Sequence, residues 1–288
     1  MRRLLPFLLV GCADIRLNYG TADTGDTGDT GDTGAPVDTD TGTPPDTDTD
    51  EDTDTDEDTD TETGRPTPAA CGRILVYSTE ATPGAGRAIG RFDAISADPA
   101  LAAFDVDVRE RATDGPLTLD DLEDYSQLWL FGTDRDIGTA LAFDEVRAIR
   151  DFLETGAGLL VAGEHEDEST SYADDVALVS ELYGVAFEES AREAADGELV
   201  PLGGVDGALL PGVAEVPGFA SVAELGVTDP AVRVAGTIAG APALAYRDDG
   251  PWVVFDRSWE GWSDAHRGAG DQPAVVSGVA TFLEGCAR

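Results

Sequence analysis

The chain has 288 residues, 58 Asp and Glu against 18 Arg, no Lys and 2 His, for a net charge of −40. That balance excludes nucleic acid and direct docking on anionic lipid as partners, because both demand basic patches. The lack of Lys also excludes Schiff-base chemistry and a lysine phosphate clamp.

The chain opens Met1-Arg2-Arg3 and continues with a short apolar run, Leu4 to Val10. Two positive charges followed by such a run outline an export signal, and the run is far too short to cross a bilayer. It ends Leu9-Val10-Gly11-Cys12, which resembles the bacterial lipobox. The resemblance implies that Cys12 is lipidated, becomes the mature N-terminus and anchors the protein in a bilayer. The non-acidic Ala13 implies the outer membrane.

Residues 21–64 consist almost wholly of Asp, Thr, Gly and Glu, with no aromatic residue and Val37 as the only large aliphatic. Such a tract cannot offset its ordering entropy by burial, and its repeated like charges stretch it. Acids at alternate positions invite a calcium reading, but Asp46 to Asp60 lacks the glycine turn and bidentate Glu of a calcium loop. The expected organisation is a signal peptide over residues 1–12, a disordered stalk over 13–69 and one α/β domain over 70–288. The domain is itself acidic: residues 66–288 carry a net charge of −26. If Cys12 carries lipid, Cys71 and Cys286 remain, one opening the domain and one nearly closing it. In an exported chain an even pair is most simply a disulfide, the alternative being two free thiols.

Within the domain, residues 73–78 form an apolar run bounded by turn formers and predict a buried strand. Ile89, Phe92 and Ile95 recur at helical spacing over 85–97. Residues 104–108 alternate as an edge strand does, and Thr118 with Asp121 predicts a helix cap. Residues 127–131 and 158–162 predict two more buried strands. Between them, a helix over 144–154 turns Val146, Ile149, Phe152 and Leu153 inward and ends at Gly156. A helix over 174–183 presents Val176, Val179 and Leu182 to the core. Residues 190–230 show few clear periods. Residues 243–247 and 252–255 flank Asp248-Asp-Gly-Pro251 as a hairpin, and 273–282 predicts a final helix. Alternating strands and helices imply a mainly parallel sheet with helices on both faces, whose first strand begins where its last helix ends. That geometry brings Cys71 and Cys286 to one pole.

The segments 125–133, 143–165 and 250–258 resemble the class I glutamine amidotransferase-like superfamily, in its ThuA-like branch. The carrying features are the Gly156-Ala-Gly158 turn, the strand that runs into Gly163-Glu-His165, and the late Trp252-Val-Val-Phe255 strand. The resemblance implies a flavodoxin-like fold with its pocket at the turn after residues 158–162. The superfamily's amidotransferases hold a nucleophilic Cys on that turn. Here it reads Gly163-Glu-His-Glu-Asp-Glu168, so glutamine hydrolysis is not expected.

Ligands of open α/β sheets bind at the carboxyl ends of strands. His165 and Glu164 are therefore the candidate catalytic residues, His165 as a general base beside a carboxylate. His165, Glu166 and Asp167 are candidate ligands for a divalent metal. The competing reading of this loop is a solvated acidic turn. Asp134, Asp256, Ser258, Trp259 and Glu260 are candidate ligand-binding residues, with Trp259 and Trp262 able to stack a sugar or, alternatively, to pack over the last strand. Asp264 and His266 are too loosely spaced to form a motif. The expected function is a cell-envelope binding or scaffold module that uses its pocket for a small ligand, carbohydrate by family resemblance. The alternative is a hydrolase built on His165 and its neighbouring carboxylates, with or without metal. The anchor is tested by Cys12→Ala, which should release the protein from membrane fractions or block its processing; unchanged membrane retention and processing would contradict it.

Overall fold

The computed structural model describes residues 71–80, 92–133, 140–167, 170–171, 175–188, 200–201, 209–210, 212–213 and 223–284, with the backbone alone at 165–167, 170–171 and 200. Cys12, the stalk, Asp134 and Cys286 lie outside the described residues. In chain order the elements are β1 (Arg73–Ser78), β2 (Asp105–Glu110), α1 (Arg111–Asp114), α2 (Leu119–Leu122), β3 (Gln127–Phe131), α3 (Phe143–Glu154), β4 (Gly158–Ala162), β5 (His165–Asp167), β6 (Thr170–Ser171), α4 (Ala177–Leu182), β7 (Val185–Glu188), β8 (Val200–Pro201), β9 (Glu224–Val227), β10 (Val232–Ile238), β11 (Ala241–Arg247), β12 (Trp252–Asp256) and α5 (Gln272–Leu283).

One sheet runs β2-β1-β3-β4-β12-β11-β10-β8. Pairing is parallel from β2 through β12. The hairpin of β11 and β12 then turns the sheet antiparallel, and β10 and β8 continue it. The order 2-1-3-4 followed by a fifth parallel strand is the flavodoxin-like winding, whose direction reverses between β1 and β3. β2 is the edge strand that its alternation predicts, and residues 118–122 begin with the expected capping box of Thr118 and Asp121.

Side chains along each central strand alternate between two cores, as the pleat requires. Ile74, Val76, Trp129, Phe131, Leu160 and Val254 pack with Val275, Val276 and Val279 of α5. Leu75, Leu128, Leu130, Leu159, Val161 and Phe255 pack with Ile149, Phe152 and Leu153 of α3. Both faces are thus covered, which is why these strands read as unbroken apolar runs.

The first strand and last helix meet as expected. The carboxylate of Glu284, just after α5, accepts from the Gly72 amide at 3.2 Å, the Ser126 hydroxyl at 3.1 Å and the Gln127 side-chain amide at 3.3 Å. At the same pole Gly158 passes so close to α5 that an added Cβ would lie 2.3 Å from the Leu283 carbonyl oxygen, so only glycine fits.

Several elements differ from expectation. Residues 95–97 and 99–101 form short 3-10 turns, and the rest of the helix expected over 85–97 lies largely outside the described residues. Phe92 and Ile95 are nonetheless buried in the core under α5. Leu182 is 51% exposed, because α4 is only 6 residues long and turns Val179 alone of its apolar side chains fully inward. β10 was not expected: it lies between the stretch of few clear periods and the expected hairpin, and Ala235 and Gly236 interrupt its branched residues. Glu145 is buried on the inner face of α3. It is held by Arg111 at 2.6 Å, the Leu117 amide at 3.1 Å and the Ala142 amide at 2.8 Å, partners that a buried carboxylate requires.

Candidate functional site

The hydrogen-bonded ladder runs one residue past the carboxyl ends of four strands. Thr79 N–H donates to Phe131 O, Gly132 N–H to Ala162 O, Gly163 N–H to Asp256 O and Arg257 N–H to Ala243 O. Thr79, Gly132, Gly163 and Arg257 therefore form one row across the sheet. Alternation puts that row on the α3 face, in line with Leu130, Val161 and Phe255. The next residues form a second row, Glu80, Thr133, Glu164 and Ser258, on the α5 face. All four of these side chains are buried.

In the second row the neighbours Glu164 and Ser258 are bonded together. The Ser258 hydroxyl donates to Glu164 Oε1 at 2.7 Å, and the Glu260 amide donates to the same oxygen at 3.2 Å. Ser78 and Thr133 share a hydroxyl hydrogen bond of 2.6 Å. On the α3 face the Thr79 hydroxyl accepts from Thr133 N–H at 3.0 Å and bonds the Asp175 carboxylate. The β1–β3 half of this edge is the point where strand order reverses, the place at which such sheets bind ligands.

Glu164 thus sits at the end of a central strand facing the segment after Phe255, and Ser258 and Glu260 join it there. Asp256 lies one residue earlier, where Oδ1 accepts from Ser258 N–H at 3.1 Å and Oδ2 from Trp262 Nε1–H at 3.0 Å. Although part of Asp256 remains accessible to solvent, desolvation pushes its carboxyl up to about 6, against the lowering effect of those two hydrogen bonds. Arg257, 5% exposed, is pulled down to about 10 by burial.

Trp259 and Trp262 are buried. Trp262 packs edge-on to Trp129 at 5.3 Å, and Trp259 edge-on to Phe92 at 6.2 Å. Their faces belong to the core, so sugar stacking on them has no exposed ring to use. The segment that follows is a structural staple. Arg267 pairs with Asp264 at 2.6 Å and also with Asp98, while Asp264 accepts from the Ala94 amide at 2.9 Å. His266 is exposed and faces Ser263 Oγ at 3.4 Å.

His165, Glu166 and Asp167 lie on β5, which pairs with β6 in a small hairpin directly after Glu164. Their side chains, like Asp134, lie outside the description. Among the described residues no group of three or more metal-binding side chains gathers. Sequence reasoning also missed Asp175 and singled out neither Thr79 nor Arg257 as a partner at this edge. Arg257 carried a signal, being a charge directly after an apolar strand that is buried on both faces.

A cavity of about 420 Å³ lies elsewhere, lined by Arg150, Leu153, Tyr183, Asp249, Gly250 and Pro251. It is at the amino end of β12, away from the polar rows.

No family model and no curated protein matches the sequence. Solved structures do match the fold. The mmIFT52 N-terminal domain aligns with a TM-score of 0.57 and 14% identity over 73% of this chain and 97% of its own. The cytoplasmic protein STM1381 from Salmonella typhimurium LT2 aligns with a TM-score of 0.52 and 16% identity over 74% and 97%. A ThuA-like protein from Bacteroides uniformis aligns at 0.44 and 15% identity over 73% and 90%, too weakly to carry an argument. At these identities the likeness is one of fold: an α/β domain with a mainly parallel sheet.

The raised Asp256 carboxyl predicts a pH signature. The folded state holds this proton up to about 6, while the unfolded chain releases it near 3.8. Stability from Asp256 is therefore present at low pH and is lost as pH rises from about 4 to about 6. Urea unfolding at pH 4 and pH 7 should show wild type losing up to about 3 kcal/mol relative to Asp256→Asn over that interval. Equal pH dependence of the two proteins would contradict it.

Proposed function

We propose that the domain is a small-ligand-binding module displayed on the bacterial cell envelope, anchored through lipidated Cys12 and held off the membrane by its acidic stalk. The observation that carries the binding reading is the buried row Glu80, Thr133, Glu164 and Ser258 at the carboxyl ends of β1, β3, β4 and β12. The interiors of β3, β4 and β12 are apolar, and the row lies at the end where such folds take ligands. The turn through Gly163-Glu-His165, without a cysteine, supports placement in the ThuA-like branch with the amidotransferase nucleophile replaced. By that placement the ligand is a carbohydrate or a close relative of one. A hydrolase built on His165 would need that imidazole beside a carboxylate of this edge, and no described contact favours it over binding.

The domain's ends are part of the same reading. Cys71 is disulfide-bonded, and its partner lies outside the described residues. We assign Cys286 as that partner, because Glu284 already bonds the Gly72 amide. Non-reducing peptide mapping should recover the Cys71–Cys286 pair; two alkylatable thiols in the unreduced protein would contradict it.

Binding is tested by calorimetric titration of the full chain with a panel of monosaccharides and sugar acids. At least one should bind saturably. Glu164→Ala should weaken it about tenfold or more while the protein still unfolds cooperatively, since hydrogen bonds to a charged group are worth about 1.5–3 kcal/mol. No saturable binding across the panel, or binding indifferent to Glu164→Ala, would contradict the reading.

A further inference from the structure

Arg257 has no role in holding the fold together that its surroundings explain. The residue is 5% exposed, and among the described residues Nη2 has no hydrogen-bond partner. Among the described residues no carboxylate stands within ion-pair distance of it. Asp256, the charge that acts on it most directly, is the preceding residue and points to the opposite face, towards Trp262. The other buried or half-buried arginines described here behave differently: Arg73, Arg109, Arg111, Arg247 and Arg267 each hold at least one carboxylate. In a domain with net charge −26, a buried cation is the group most easily given a carboxylate partner, yet this one lacks it. Leaving a charge buried and unpaired is strongly destabilising, and such a cost is met at sites that a ligand completes.

Its place in the ladder says what it faces. Arg257 ends the row Thr79, Gly132, Gly163, Arg257 on the α3 face. The two middle positions are glycines and contribute no side chain, and Thr79 with its Asp175 partner closes the row three strands away, about 14 Å at the usual strand spacing. A guanidinium at one end and a hydroxyl-carboxylate pair at the other frame a stretch the length of a small molecule.

We infer that Arg257 receives the carboxylate of a sugar acid, whose hydroxyls reach towards Thr79 and Asp175. This rests on the small-ligand reading and names the ligand class. The guanidinium fork matches a carboxylate with two parallel hydrogen bonds. One cation neutralises a monoanion. A phosphate dianion would bring a second negative charge to an edge that already holds Glu80, Glu164, Asp175 and Asp256. Among the described residues, the remaining groups of the edge are carboxylates and hydroxyls, which take hydrogen bonds from ligand hydroxyls.

The test is thermal unfolding of the full chain at constant ionic strength with D-galacturonate, D-galactose or inorganic phosphate, on wild type, Arg257→Met and Arg257→Lys. Galacturonate should raise the wild-type melting temperature saturably, with an apparent Kd at least tenfold tighter than that of galactose, and phosphate should not shift it. Without ligand, Arg257→Met should melt at or above wild type, because it removes an unpaired buried charge, and it should not respond to galacturonate. Arg257→Lys keeps the charge but not the fork, and should respond at least tenfold more weakly than wild type. Failure of wild type to respond to galacturonate, an equal response to phosphate, or a full galacturonate response in Arg257→Met would each overturn the inference. So would a lower melting temperature of ligand-free Arg257→Met with Arg257→Lys unchanged, which would make the cation a structural one. Galactose binding that depends on Glu164 but not on Arg257 would sink the sugar-acid inference and leave the small-ligand reading standing.

Discussion

A parallel sheet covered by helices on both faces leaves almost no strand position where a polar side chain can stay hydrated. β3, β4 and the middle of β12 obey this constraint: apart from Gln127, every side chain in them is apolar and nearly all are buried. Gln127 is tolerated because its amide is spent on the Ala280 carbonyl and Glu284, and its carbonyl oxygen on the Trp129 indole. Polar chemistry is thereby pushed to the two ends of the sheet, and the ends have different work. The amino end is closed by Glu284, which ties Gly72, Ser126 and Gln127 to the last helix. The carboxyl end carries Glu80, Thr133, Glu164 and Ser258, and bonds there tie Thr133 to β1 through Ser78 and Ser258 to Glu164 after β4.

The segment after β12 shows how that end is braced. Asp256 fixes Ser258 through its amide and Trp262 through its indole, and Ser258 in turn fixes Glu164. Trp262 and Trp259 then lock into Trp129 and Phe92, while Arg267 and Asp264 reach the residues around Asp98. Glu164 is therefore positioned through a chain of contacts reaching well into the core. Rigid support of this kind suits a group whose task is to present an oxygen in a fixed direction.

Much of the fold was legible because the constraint writes itself into the sequence. Unbroken apolar runs at 74–77, 128–131 and 158–162 mark buried strands, and Thr118 with Asp121 marks a helix start by its own chemistry. β10 was not legible, because Ala and Gly inside it hide the period that register with β11 imposes. Glu164, Asp256, Ser258 and Glu260 were visible as polar residues directly after buried strands. Trp259 and Trp262 were ambiguous for a physical reason: a tryptophan beside carboxylates reads alike whether it stacks a ligand or fills the core, and only packing decides. Arg257 was legible only as a charge directly after an apolar strand, a signal that does not separate it from Asp256 or Ser258 beside it. Its meaning comes from the ladder row it ends and from the partner it lacks.

The proposed binding edge is the carboxyl end of β1, β3, β4 and β12, and not the cavity beside Tyr183 and Pro251 at the other pole. Amide hydrogen exchange of the full chain with and without saturating D-galacturonate tests it most directly. Binding there predicts slowed exchange together at residues 79–80, 132–133, 163–164 and 257–260, segments far apart in sequence and adjacent only at that edge. Slowed exchange confined to residues 150–154, 183 and 249–250, or none at the four predicted segments, would contradict it.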